Sequence, residues 1–292
     1  MRIIHFSDVH AGRWLMHLGG YFDKRILGAI NCCGRRRGHH DWSIVPRAVT
    51  QIRMLNPDVV ICTGDLASMS QPWEFAEADR DLGPLVKDAR FPFIYTPGNH
   101  DAYVDRKLSR DALSHSFHTL NEKRWEIDDL PQHLDIGPVR FLIVNEAVPT
   151  FPFAATGRLD DRSAAWIAQQ LADSAVTSGA RRLVLVGHWP LFTRTGAPLP
   201  FLRRCKNCDI LQEGLRSGAI SLTLCGHIHS AFDRREPNGG GLEICAGSLT
   251  SESAFCVIDY NVVENKIERR WIDVPEPNTT APPPLELDTS IV

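Results

Sequence analysis

No apolar run in this chain approaches the roughly 20 residues that a membrane-spanning helix needs. Nor does the start resemble an export signal: Met1 is followed at once by the alternating Arg2-Ile3-Ile4-His5-Phe6, with no basic start, long apolar core or small-residue cleavage site. The expectation is a cytoplasmic protein. Net charge is scarce as well, −3 over 292 residues, so there is no general electrostatic pull toward nucleic acid, and no added nucleic-acid module is visible. No internal repeat is present. What the chain has is 43% hydrophobic residues, enough to bury a full core in one main domain of layered α/β type.

The most informative stretch is Thr96-Pro97-Gly98-Asn99-His100-Asp101, which follows the apolar run Phe91 to Tyr95. A strand there runs into a turn that carries three side chains able to bind metal or move protons. Gly98 is expected to let the backbone turn sharply without a Cβ penalty. That leaves Asn99 and His100 at the carboxyl end of a strand, where open α/β sheets place their ligands. Four other apolar runs end in matching groups: Asp8-Val9-His10, Gly64-Asp65, Gly187-His188 and Gly226-His227-Ile228-His229.

The elements between these points follow from periodicity. Residues 2 to 7 read as a strand, and Ile44 to Leu55 as a helix stopped by Asn56-Pro57. Residues 58 to 63 are a nearly continuous apolar strand of the kind covered on both faces. Pro72 to Ala89 is a helix with proline in its first turn. The alternation β-α-β-α-β predicts parallel strands with helices on their faces. Leu108 to Glu122 and Asp160 to Asp173 are further helices, the latter opening on acidic residues. Trp125 to Asp129, His133 to Ile136 and Val139 to Asn145 read as short strands of an antiparallel edge, making the sheet mixed. Arg182 to Val186 and Ile220 to Cys225 are strands that lead to histidines, and Glu243 to Ala246, Ala254 to Tyr260 and Lys266 to Ile272 read as the strands of a second sheet. The domain is expected to span residues 1–273. From Val274 onward proline, threonine and asparagine accumulate without periodicity, so residues 274–292 are expected to form a disordered tail.

Residues 13–41 interrupt this order. They mix Trp14, Leu15, Tyr21, Phe22, Ile26 and Leu27 with Arg13, Lys24, Arg25 and Arg35 to Arg37. One reading is a surface insertion whose apolar side chains pack on the body. The other is a cap over the site that meets an anionic substrate or the inner face of a membrane. Of the eight cysteines, Cys62, Cys225, Cys245 and Cys256 lie in strand-like runs and read as small core hydrophobes. Cys32-Cys33 and Cys205-Lys206-Asn207-Cys208 are expected to be unpaired thiols on loops, with a structural zinc joining the two pairs as the alternative.

Asp8, His10, Asp65, Asn99, His188, His227 and His229 form an oxygen and imidazole set without thiolate. Such a set suits Mn²⁺, Fe or Zn²⁺ better than Ca²⁺ or copper(I). Seven donors exceed the needs of one ion and match two ions that share a carboxylate, the usual apparatus for phosphoryl hydrolysis. His5 reads as a core or edge residue, and His39, His40, His115, His118 and His133, outside these motifs, as surface side chains.

The ordered blocks D-x-H, G-D, G-N-H-D, G-H and G-H-x-H, from Asp8 to His229, resemble the calcineurin-like metallophosphoesterase family. The resemblance implies a four-layer α/β/β/α sandwich of two mixed sheets flanked by helices, and two divalent metal ions (Mn, Fe or Zn). Carried over by position, it implies Asp8, His10 and His229 on the first ion, Asp65 bridging, and Asn99, His188 and His227 on the second. It gives His100 the task of polarising the phosphate and protonating the leaving oxygen, with Asp101 holding its ring, while a metal-bridging hydroxide attacks phosphorus. The implied activity is hydrolysis of a phosphodiester or related bond in a small phosphorylated substrate. Tyr103 after Asn-His-Asp and the compact size are similar to the branch that includes bacterial cyclic-nucleotide phosphodiesterases. The insertion motivates a lipid-linked pyrophosphate hydrolase, similar to the UDP-diacylglucosamine hydrolases, as the alternative. A nuclease and a non-catalytic scaffold are the lesser readings.

Overall fold

Every residue of the run Val59–Cys62 is buried, as its uninterrupted apolar character requires of a strand covered on both faces. The structure, a computed structural model, describes residues 1–11, 40–151 and 153–275. In chain order its elements begin β1 (Arg2–Phe6), α1 (Ile44–Met54), β2 (Val59–Cys62), α2 (Pro72–Val86), β3 (Phe93–Tyr95) and α3 (Lys107–Leu120). Next come β4 (Gln132–Ile136), β5 (Val139–Ile143), β6 (Gly157–Arg158), α4 (Asp161–Leu171), α5 (Ser174–Thr177), β7 (Arg182–Val186) and β8 (Cys205–Lys206). The series closes with α6 (Asp209–Ser217), β9 (Ile220–Cys225), β10 (Phe232–Arg235), β11 (Leu242–Cys245), α7 (Leu249–Glu252), β12 (Ala254–Asn261) and β13 (Lys266–Asp273).

Local chemistry sets the helix ends. Pro72 opens α2 with Gln71 and Glu74 in a reciprocal capping box. Asp160 caps α4 by accepting the Ser163 N–H at 2.6 Å. The α1 helix stops ahead of Asn56-Pro57, as the proline demands.

Two mixed sheets result. The first runs β13-β12-β1-β2-β3 and the second β10-β11-β9-β7-β5-β4. In the first, β1, β2 and β3 are parallel and β12 adds antiparallel to β1. In the second, β5, β7, β9 and β11 are parallel, with β4 and β10 antiparallel at the edges. The sheets meet face to face, and the side-chain period of two sorts the second sheet cleanly. Phe141, Val184, Leu222 and Ile244 join the main core with Ile4, Val60 and Ile94. Leu142, Leu185 and Ile220 face the other way, onto Ile167 of α4 and Leu211 and Leu215 of α6. Helices α1, α2 and α3 contribute Ile52, Phe75 and Phe117 to the main core. The four layers are therefore helix, sheet, sheet, helix, as expected.

The sequence reading is corrected in three places. Trp125 to Asp129 is not a strand: Ile127–Asp129 is a 3-10 turn, because Glu126 and Asp129 cap each other. The pair β4 and β5 belongs to the second sheet rather than to the edge of the first. The last three predicted strands also divide, β11 joining the second sheet while β12 and β13 extend the first beside β1. Periodicity identifies a strand but not its neighbour, and these partners are set by which exposed ladder edge remains. The expectation for residues 13–39 lies outside the described residues, as does that for the tail from 276. Val274 is buried, and its N–H bonds the Ser253 carbonyl at 2.7 Å.

Candidate metal centre

The exits of β1, β2 and β3 from one sheet and of β7 and β9 from the other lie together. Backbone bonds bind the exits to each other: Asp8 N–H to Gly64 O at 3.0 Å, His10 N–H to Asp65 O at 2.9 Å, and Gly226 N–H to His188 O at 2.9 Å. Five of the seven predicted ligands occupy the left-handed region: Asp8 (φ 52°), His10 (50°), Asp65 (55°), His227 (71°) and His229 (53°). Such a backbone costs of order 1–3 kcal/mol per residue and persists only when the surroundings enforce it. Here they do: Ser248 Oγ bonds the Asp8 carbonyl at 2.8 Å, Thr250 Oγ1 the Val9 carbonyl at 3.0 Å, and Ser68 Oγ the His10 carbonyl at 3.1 Å.

A turn does begin at Gly98, whose carbonyl accepts the Ala102 N–H at 3.3 Å, and Gly98 and Gly226 also serve close approach. A Cβ on Gly98 would overlap the Asp65 carboxylate, and one on Gly226 would overlap Ser7 Oγ and Asp8 Oδ2. No larger residue lets these loops close on one another.

All seven predicted side chains come together, in two overlapping groups. In the first, His229 Nε2 lies 3.1 Å and His10 Nε2 3.6 Å from Asp8 Oδ1, and His10 Nε2 lies 3.8 Å from Asp65 Oδ2. In the second, His188 Nε2 lies 3.4 Å from the same Asp65 Oδ2 and 3.3 Å from Asn99 Oδ1, which is 2.8 Å from His227 Nδ1. The remaining atoms of these residues are tied back. Asp8 Oδ2 accepts the His227 N–H at 2.9 Å and Asp65 Oδ1 the His100 N–H at 2.7 Å. His188 Nδ1 donates to Thr63 O at 2.5 Å and His227 Nε2 to Arg203 O at 3.0 Å. Those two bonds fix which nitrogen each ring presents inward. Asp8 Oδ1 and Asp65 Oδ2 are buried and accept no hydrogen bond, an arrangement that costs dearly without a cation. The donors, the orphaned oxygens and the fixed tautomers fit two divalent ions around one shared carboxylate.

Burial opposes charge on Asp8, yet His229 and His10 beside it outweigh that and hold its carboxyl well below the usual range. Asp65, resisted by burial in the same way, is held low by His188 and His100. Burial would depress His188, but Asp65 and Asp8 raise it to about 10. His227 is pushed down to about 3 by burial and by His188. Burial likewise lowers His10. The two carboxylates thus stay ionised in a dry site.

His100 borders this cluster. Its ring stacks on Tyr103 with centroids 5.4 Å apart and meets His10 edge-on at 4.8 Å. The partner of its Nδ1 is the Ser68 carbonyl, 2.6 Å away. Asp101, expected to hold that ring, does something else. Its carboxylate accepts from Ala67 N at 2.9 Å, Gly98 N at 2.9 Å and Tyr95 Oη at 2.8 Å, binding the β2 and β3 exit loops together. Adjacent residues in an irregular loop point in different directions, so Asp101 faces inward while His100 faces the site.

The sequence reading missed two residues. His40 is no surface histidine: its ring lies 4.8 Å from His10 and 5.7 Å from His229, and the three could share an ion. Glu146 is buried and accepts the N–H of His188 at 2.8 Å and of Trp189 at 3.1 Å. It stands just beyond β5, a strand end like those of the ligands, and that position was its signal. His5 is a core residue as expected, bonded to Thr63 Oγ1 at 2.9 Å. Cys62, Cys225, Cys245 and Cys256 are buried and free. Cys205 and Cys208 are joined as a disulfide rather than left as unpaired thiols, while the alternative of a zinc shared with Cys32 and Cys33 rests on residues outside the described ones. Cys32 and Cys33 lie outside the described residues.

A layered sandwich whose facing strand ends gather imidazole and carboxylate around one shared oxygen defines a metal-dependent phosphoesterase. The profile of the calcineurin-like phosphoesterase family matches residues 1–231, and the chain belongs to that family, whose members use a dinuclear metal centre. It is 27% identical over 237 residues to the glycerophosphodiester phosphodiesterase GpdQ of Enterobacter lignolyticus, covering 79% of this chain and 71% of that protein. It is 24% identical over 244 residues to a probable cyclic nucleotide phosphodiesterase of Rhodococcus erythropolis, covering 78% of this chain and 64% of that protein, so the match spans less than two thirds of that relative's length. Among solved structures, a dimetal phosphatase from Danio rerio shares the fold, with a TM-score of 0.51 at 15% identity over 88% of this chain and 91% of that one. No helix among the described residues is long and apolar enough to cross a membrane.

Proposed function

We propose that this protein hydrolyses a small phosphodiester at two divalent metal ions, with glycerophosphodiesters and cyclic nucleotides, the substrates of its two named relatives, as the candidate class. The observation that carries this reading is the single atom Asp65 Oδ2, which stands at the junction of two donor groups. Asp8, His10 and His229 would hold one ion and Asn99, His188 and His227 the other, with Asp65 common to both. When bound, such a pair supplies Lewis-acid neutralisation of the phosphate and a lowered water pKa.

The chain's own residues do the rest. The left-handed exit loops hold the ligands before any ion arrives, so little reorganisation remains. The Ser68 carbonyl accepts a hydrogen bond from the Nδ1–H of His100, which leaves proton transfer to the leaving alkoxide oxygen to Nε2. Tyr103, stacked on that ring, keeps it from rotating. Asp101 positions the loops rather than the ring.

The test is hydrolysis of bis(p-nitrophenyl) phosphate, glycerophosphocholine and cyclic AMP with added Mn²⁺. Turnover of at least one diester should fall by roughly two to four orders of magnitude in His100→Asn. Equal activity in the variant, or activity on none of the diesters, contradicts the reading and favours a scaffold. A lipid contact through residues 13–41, and with it a lipid-linked pyrophosphate substrate, rests on the composition of that segment. Activity on a detergent-dispersed lipid nucleotide well above that on cyclic AMP would support it, and comparable or weaker activity removes it.

A further inference from the structure

Among the described residues, most large apolar side chains that reach solvent are gathered in one place. Phe151 (87% exposed), Phe153 (87%), Phe201 (62%) and Leu202 (53%) are four of the seven exposed large hydrophobics among the described residues. They come from two segments joined by backbone bonds, Ala155 N–H to Leu202 O at 2.8 Å and Gly157 N–H to Arg204 O at 3.3 Å. A parallel ladder, β6 on β8, continues the junction. Between the aromatic tips lies a groove of 440 Å³. Phe153 has φ 70°, a conformation that a bulky aromatic residue rarely adopts, and such strain tends to be kept where it serves a task.

Cations gather at this tip. Residues 147–159 and 195–206 contain Arg158, Arg203, Arg204 and Lys206 and no aspartate or glutamate, with Asp160 and Asp161 following behind the tip, where Asp161 accepts from Asn207 Nδ2 at 3.0 Å. The Arg204 guanidinium lies 5.1 Å and the Lys206 ammonium 5.6 Å from the Phe201 ring centre, so the cations flank the apolar tip. Exposed aromatics flanked by cations match a surface that is anionic outside and apolar beneath.

We propose that this tip docks the protein on an anionic membrane surface, with the phenylalanines entering the interface and the four cations meeting lipid phosphates. A second copy of the chain fits less well, because a two-fold contact would bring two cation-bearing patches together. The tip also borders the metal centre, since the Arg203 carbonyl is the partner of His227 Nε2. Docking there would bring the site to the level of the lipid headgroups.

Docking is read by binding alone, so it stands or falls separately from phosphodiester hydrolysis. In co-sedimentation, the full chain should bind phosphatidylcholine vesicles containing phosphatidylglycerol and leave pure phosphatidylcholine largely unbound. Binding should weaken as salt is raised, because screening acts on exposed charge. The triple variant Phe151→Ser/Phe153→Ser/Phe201→Ser, altered only at exposed positions, should bind at least about tenfold more weakly with its circular dichroism and diester turnover unchanged. Arg158→Gln/Lys206→Gln should lose the preference for anionic lipid. The proposal is overturned if wild type binds neither vesicle, if it binds both equally, or if the triple variant binds as wild type does. It is also overturned if light scattering shows a wild-type dimer that the triple variant breaks and vesicles do not compete with.

Discussion

Asp65 Oδ2 stands 3.4 Å from His188 Nε2, across the seam between the two sheets. Asp65 follows β2 of the first sheet, and His188 follows β7 of the second. Neither is a ligand set alone, and the site exists only because the sandwich closes. Asp65→Asn keeps the shape but removes one of the two ligand carboxylates. Metal analysis of the variant should find fewer than two tightly held ions per chain, and diester turnover should drop about a thousandfold or more, the equivalent of about 4 kcal/mol. Two ions retained at wild-type affinity would oppose a shared carboxylate.

Gly98 tests the close approach. Its missing Cβ makes room for the Asp65 carboxylate, whereas a Cβ on Gly83 of α2 would meet nothing. Gly98→Ala should lose metal and activity together. Gly83→Ala should keep both and gain up to about 1 kcal/mol of stability from helix propensity. Equal metal content in the two variants, measured by mass spectrometry, would show that the packing around Gly98 is not required.

His100 and Asp101 are neighbours with separate duties. His100→Asn should lower kcat while leaving metal content and melting temperature near wild type. Asp101→Asn places an amide donor against the donors of Ala67, Gly98 and Tyr95, so it should cost about 1–3 kcal/mol of stability and affect activity through the loops. Denaturant unfolding separates them: a stability loss in His100→Asn as large as that in Asp101→Asn would contradict the division.

Glu74 gives a pH dependence remote from the metal ligands. Burial raises its carboxyl from 4.5 to about 7, against the bonds it accepts from Gln71 and Met69. The folded protein therefore holds a proton that the unfolded chain has lost, and stability from this group is full below pH 4.5 and declines as pH rises toward 7. The shift corresponds to about 3 kcal/mol at most. The urea midpoint of Glu74→Gln should fall less steeply than that of wild type across this window. Parallel profiles would place the carboxyl in its ordinary range.

Much of this was legible in the chain because the chemistry coincides with the punctuation. Gly-Asp at 64–65 and Gly-His at 187–188 and 226–227 each terminate an apolar run, so strand ends and ligands could be read together. Side-chain direction inside a loop was not legible, which is why Asp101 was expected on His100 and found on the Gly98 and Ala67 backbone. Strand neighbours were not legible either: β12 reads like any alternating strand, and only the free edge of β1 decides its partner. His40 escaped notice because it ends no apolar run and shares no motif with the predicted ligands.

The central claim is that seven side chains from five strand ends hold two ions that the reaction needs. Its most direct test is a titration of chelator-stripped protein with Mn²⁺ or Zn²⁺, following bound ions per chain and diester turnover in the same samples. The account predicts saturation at two ions per chain, with turnover rising as the second site fills. Saturation at one ion or none, or full turnover in the stripped protein, would contradict it.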